Sequence, residues 1–147
     1  MTLTKIISGG QTGADQGGLE AGRELGLKTG GTAPMGWRTE DGPQPKLLMS
    51  YGLAECGLPG YPARTRINVL NSDVTVIFGD VCSPGSELTI SLCVQLKKPY
   101  LVNPLYTELS AFIDVKSIRI LNVAGNRESK KPGIQKRVRE YLVKELS

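Results

Sequence analysis

Hydrophobic and polar positions change period repeatedly along this chain, from short runs of β-branched residues to apolar spacings of three and four. Lys5-Ile6-Ile7-Ser8 predicts a short buried strand. Asp15 to Leu25 then predicts a helix with Leu19, Gly22 and Leu25 on one side and Gly26 as its stop. Lys28 to Thr32 predicts a second strand, thin in β-branched residues. Ala33 to Pro45 reads as a long irregular segment, and Leu47 to Cys56 as a short helix ended by the turn residues Gly57 to Pro62. Arg64 to Leu70 predicts a helix with Ile67 and Leu70 inward. Val74 to Gly79 is a near-continuous apolar run and predicts the strand at the middle of a sheet. A helix over Glu87 to Lys97, a strand over Tyr100 to Asn103, a helix over Glu108 to Val115 and a strand over Ser117 to Val123 follow. Gly133 to Leu146 closes the chain as an amphipathic helix on Ile134, Val138, Tyr141, Leu142 and Leu146.

Strands alternating with helices at this spacing predict an α/β fold, a doubly wound and mainly parallel sheet with helices on both faces. At 147 residues the chain is long enough for one domain, residues 1–147, with its own core. Ligands of such sheets lie beyond the carboxyl ends of the strands, so the turns after Ile7, Thr32, Phe78 and Val123 are expected to gather there. A helix that precedes a parallel strand starts on that side, which places Arg64 and Thr65 near the site. Asp73 falls at the opposite edge, as a turn or cap residue.

Three of these turns carry candidate chemistry. In Ser8 to Asp15, the residues Gly9, Gly10, Gln11, Thr12 and Gly13 end a strand and open a helix, a setting where backbone amides and the helix dipole favour an anion such as phosphate. The alternative is a connection whose glycines serve only close packing. A second glycine-bearing turn, Asp80 to Ser86, leads into the next helix, and Gly125 to Ser129 forms a third. Arg64 suits a phosphate through its planar fork of donors, or is a surface cation. In the long segment, Trp37, Arg38, Glu40 and Asp41 supply a stacking plane, a cation and two carboxylates. If inward, Arg38 and Asp41 hold a ring or sugar; otherwise the segment is a solvated lid. Arg127 with Ser129 poses the same choice. A dinucleotide site is disfavoured, because Gly-Gly-Gln-Thr-Gly replaces Gly-x-Gly-x-x-Gly and Thr32-Ala33-Pro34 stands where a ribose-binding acid belongs.

Composition narrows the choice. Hydrophobic residues are 39% and charged residues 22%, with no apolar run of membrane-spanning length and no charged-then-apolar leader, so a cytoplasmic protein without a membrane partner is expected. The net charge of +4 is concentrated at the C-terminal end, where Val115 onward holds nine Lys or Arg against three acids. With aromatics at only 5%, a solvated helix face explains this better than nucleic-acid binding. Three cysteines without a C-x-x-C spacing suit reduced thiols. The absence of histidine removes His-dependent nucleophile devices and an imidazole metal site, so no protein-ligated metal is expected.

Together these stretches resemble the molybdenum cofactor carrier proteins, a branch of the LOG or lysine-decarboxylase-like Rossmann group. The likeness rests on Ser8 to Asp15, Gly30 to Gly42, Tyr61 to Val69 with Ser72-Asp73, Ser83 to Thr89, Lys98-Pro99 and Asn122 to Ser129 followed by Pro132-Gly133. It implies a Rossmann-like fold, self-association into a dimer or tetramer, and a pocket for molybdopterin cofactor or a related nucleotide. Arg64 matches an Arg of the related LOG nucleotide hydrolases, and the turn with Gly85, Ser86 and Thr89 matches their phosphate turn. Thr89, however, occupies the place of those enzymes' Glu. A carrier gripping phosphate through Gly10 to Gly13, Gly85, Ser86, Thr12, Thr89 and Arg64 is therefore expected. The alternative is a phosphoribohydrolase in which Asp15, Glu40, Asp41 or Glu87 supplies the carboxylate.

Overall fold

A computed structural model describes residues 1–147. Strand β1 (Lys5–Ser8) leads into α1 (Ala14–Glu24) and β2 (Lys28–Ala33), and a two-strand hairpin of β3 (Arg38–Thr39) and β4 (Gly42–Pro43) follows. Next come α2 (Pro45–Ser50), β5 (Leu53–Glu55), α3 (Tyr61–Leu70), β6 (Val74–Phe78) and α4 (Pro84–Gln95). The chain ends with β7 (Tyr100–Val102), α5 (Glu108–Lys116), β8 (Ile120–Gly125) and α6 (Ile134–Leu146). Six strands form one parallel sheet in the order β5-β2-β1-β8-β6-β7. Helix α6 packs against α1 and α5, and α3 packs against α4, the two groups that right-handed crossovers place on opposite faces of a sheet with this strand order. This is the Rossmann-like doubly wound α/β fold that the alternation predicts.

Several elements differ from the sequence expectation. The Leu47–Cys56 helix divides, because Gly52 takes a left-handed turn (φ 84°) that starts the edge strand β5. Leu48, Tyr51 and Leu53 thereby reach Leu19 and Ala33 in a small second core. Strand β6 is buried at all five residues yet lies fifth in the sheet. The chain returns from β7 and inserts β8 between β6 and β1, so β1 and β8 hold the middle. The last strand starts three residues later than expected, because Ser117 ends α5 in a left-handed conformation and Ile118 is already core. Helices α3 and α4 both start three residues early, each with a proline in its first turn.

The main core joins Ile6, Val74, Val76, Leu121 and Val123 of the sheet to Ile113 of α5 and to Ile134, Val138 and Leu142 of α6. Glycines bring α1 close to its neighbours. A Cβ at Gly17 would fall 2.5 Å from the Gln135 carbonyl oxygen, and one at Gly18 would fall 2.7 Å from Val123. That tight packing fixes where α1 begins, and with it the position of Asp15.

Candidate functional site

The turns after β1, β6 and β8 meet at the carboxyl edge of the sheet, where the strand order reverses. They enclose, with the start of α3, a cleft of about 320 Å³ lined by Gln11, Asp15, Tyr61, Arg64, Thr65, Ser83 to Ser86, Leu88, Thr89, Ala124 to Arg127 and Lys130. Of the residues singled out from sequence, Gln11, Asp15, Arg64, Thr65, Gly85, Ser86, Thr89 and Arg127 share this cleft. Gly9, Gly10, Thr12, Gly13, Arg38 and Asp41 do not line it. Arg38 lines a neighbouring slot, and Asp41 is exposed with its amide donating to Thr39 Oγ1 at 3.1 Å. Asp73 sits at the opposite edge, as expected, accepting from the Arg119 and Ile120 amides at 3.0 and 2.9 Å.

In the first turn the sequence predicts open amides, and the structure gives them internal acceptors. The Gly10 amide donates to Ser8 Oγ at 3.3 Å, Gln11 to Asp15 Oδ2 at 3.2 Å, Thr12 to Gln11 Oε1 at 3.0 Å and Gly13 to Gln135 Oε1 at 2.9 Å. Gly9 serves by having no side chain: a Cβ there would lie 1.7 Å from Arg64 Nη1, so the guanidinium lies across its Cα. Thr12 donates to Glu40 and accepts from the Glu128 amide. Glu40 also takes the Ser129 hydroxyl and amide and lies 3.6 Å from Arg127. Burial alone raises the Glu40 carboxyl, but the Ser129 and Thr12 hydrogen bonds and then Arg127 outweigh it and hold it below the usual range. Glu40 thus straps the β3–β4 hairpin to the first and third turns.

The second turn is different. Ser83 caps α4, its Oγ accepting from the Ser86 amide at a long 3.4 Å, with Pro84 at the first helical position. The Thr89 hydroxyl donates back to the Gly85 carbonyl at 3.0 Å. Ser86 Oγ is buried, lines the cleft and has no protein partner; Arg64 Nε is in the same condition. Arg64 reaches Asp15 through Nη1 alone, at 3.5 Å. Burial pushes the Asp15 carboxyl up from 3.8 to about 6, an effect that Arg64 and the Gln11 amide only partly offset.

Sequence reasoning passed over four contributors: Ser83, Asn126, Tyr61 and Lys130. Asn126 Oδ1 accepts from the Asp80 amide at 2.6 Å and its Nδ2 donates to Ser83 Oγ at 3.1 Å, locking the third turn to the second. Ser83-Pro84, a cap residue followed by proline, is a readable helix start that puts Gly85 and Ser86 inside the first turn of α4.

A family model, the circularly permutated YpsA SLOG family, matches residues 6–146. The chain belongs to this family. Among solved structures, the chain is similar to a protein of Syntrophus aciditrophicus SB called a "putative molybdenum carrier protein". The two share 35% identity with a TM-score of 0.87, over 99% of this chain and 96% of that one. No curated protein sequence matches significantly. The family and the neighbour agree with the motif likeness to LOG-like carrier proteins. No helix is long and apolar enough to cross a membrane, and no three His, Cys, Asp or Glu side chains lie together as a metal-binding group.

Proposed function

We propose that this chain binds and carries a phosphorylated pterin or nucleotide, the molybdenum cofactor among them, with the phosphate seated between the start of α4 and Arg64. One observation carries this reading: Ser86 Oγ and Arg64 Nε are both buried and both unpartnered, and their residues line one cleft. A buried donor without an acceptor costs about 1–3 kcal/mol, which a phosphate oxygen between the two recovers. The positive end of α4, with Arg127 and Lys130 on the rim, favours an anion there. Gln11, Thr65 and Thr89 meet the ligand's remaining polar atoms. Molybdenum is held through the cofactor's own sulfurs rather than by the chain. Self-association into a dimer or tetramer belongs to the same reading and is measured by sedimentation velocity.

The test is calorimetry of the purified chain with AMP, related nucleotides and molybdopterin cofactor. Binding that weakens at least tenfold in Arg64→Ala is expected, from the loss of a charge-assisted hydrogen bond. No heat and no thermal shift with any of them overturns the reading.

One observation favours a second reading, hydrolysis of a nucleoside monophosphate. Of Asp15, Glu40, Asp41 and Glu87, Asp15 alone lines the cleft, and a carboxyl near 6 suits proton transfer at neutral pH. Free base released from a nucleotide panel, and lost in Asp15→Asn, is the expected sign. A folded protein that releases none dismisses it.

A further inference from the structure

Beside the cleft lies a slot of about 290 Å³, walled by Pro34, Met35 and Gly36, by Arg38, and by Pro59 to Tyr61. Tyr61 is common to both cavities. We propose that this slot is a second subsite of the same ligand and takes a fused, planar heteroaromatic ring, a purine or a pterin, whose phosphate sits at Ser86 and Arg64. The inference rests on the phosphate reading above.

Four observations support the ring seat. The cleft of about 320 Å³ and the slot adjoin through Tyr61, so one ligand can extend from the first into the second. The slot walls are apolar except for one cation, the pattern that suits a weakly polar ring face. Arg38 forms the polar part of the wall beside Gly36, where a Cβ would lie 3.6 Å from its Cγ and 3.7 Å from its Nε. The turn that holds it is strained: Trp37 follows Gly36 in a left-handed conformation (φ 57°), with its amide on the Pro34 carbonyl at 2.9 Å and the Gly36 amide on Glu55 Oε2 at 2.6 Å. Tyr61 lines both cavities and its ring carries the Arg64 guanidinium 5.4 Å from its centroid, so one side chain joins the slot to the phosphate seat.

The experiment titrates the full chain with ribose 5-phosphate, AMP, GMP and a pterin monophosphate, reading heat and the fluorescence of Trp37, the single tryptophan. Ring stacking is expected to tighten at least one ring-bearing ligand about tenfold over ribose 5-phosphate and to change Trp37 emission. In Arg38→Ala, and in Met35→Trp, which fills the slot and is followed by heat alone because it adds a second tryptophan, that advantage is expected to fall below about threefold while ribose 5-phosphate binds as before. Both positions are exposed, so neither change threatens the fold. A gain only with purines, or only with the pterin, names the ring. Equal binding with and without a ring overturns the subsite and leaves the phosphate reading standing, as does a ring advantage that survives both variants. No binding of any ligand overturns both.

Discussion

The first turn, Gly9 to Gly13, and the second, Ser83 to Ser86, look alike in sequence: each is glycine-bearing, ends a strand and opens a helix. They differ in where their polar groups go. The first turn donates four consecutive amides to the protein's own Ser8, Asp15, Gln11 and Gln135, so the anion beside it is the Asp15 carboxylate. The second leaves Ser86 Oγ without a partner, and Arg64, on the same cleft, has its Nε in the same condition. Glycine thus marks a place where backbone comes close, and only the destination of the donors separates a structural joint from a seat for a ligand.

Glycine-to-alanine changes in the two turns give the largest contrast. At Gly13 (φ 82°) a Cβ would fall 2.4 Å from the Asn126 carbonyl oxygen and 2.7 Å from the Glu128 amide nitrogen. Gly13→Ala is expected to cost more than about 3 kcal/mol in urea unfolding, because strain and overlap with backbone combine. A Cβ at Gly85 meets nothing within 4 Å. Gly85→Ala is expected to leave the urea midpoint unchanged or raise it by up to about 1 kcal/mol. Equal losses at both positions would erase the distinction.

Next in size is the titration of Asp15. Its folded value of about 6 lies above the ordinary 3.8, so the native state binds this proton more tightly than the unfolded chain does. The stability it contributes is present below about pH 4 and is lost as pH rises through about 6, a change of about 3 kcal/mol. Glu40, held low, acts with the opposite sign, so the comparison is made between the chain and its Asp15→Asn variant. Asparagine still accepts from the Gln11 amide and carries no buried charge. The variant is expected to be more stable than wild type at pH 7.5, with the difference shrinking toward pH 4. A constant difference over that range would contradict the burial of an ionised carboxylate there.

Ser86→Ala has a smaller effect of two opposite kinds. Removing an unpartnered buried hydroxyl is expected to stabilise the free chain by about 1 kcal/mol in thermal unfolding. The same change is expected to weaken phosphate binding about fivefold in calorimetry. A loss of stability with unchanged binding would show that the hydroxyl has a structural partner.

The fold was legible because strands such as Val74–Phe78 and helices such as Ile134–Leu146 keep their period over their whole length. Their order in the sheet was not, since nothing local in Ile120–Gly125 marks it as the strand that inserts between β1 and β6. The site was legible as a meeting of turns, and Arg64 was placed through the direction of its helix. The donors of Gly10 to Gly13 were not, because their acceptors include Gln135, more than a hundred residues away, and because the choice of Gln11 and Asp15 side chains to fold back depends on packing. The helix starts at Tyr61 and Pro84 hid behind prolines that also read as turn material, which kept Tyr61 and Ser83 out of the expected site.

The most direct test is an amide NMR titration of the full chain with sulfate, a dianion whose charge does not change near neutral pH. The expected result is saturable shifts at the Gly85 and Ser86 amides and at Arg64 Nε, with the amides of Gly10, Thr12 and Gly13 unmoved. Shifts confined to Gly10 to Gly13, or none at Ser86 and Arg64, would contradict the assignment of the anion seat.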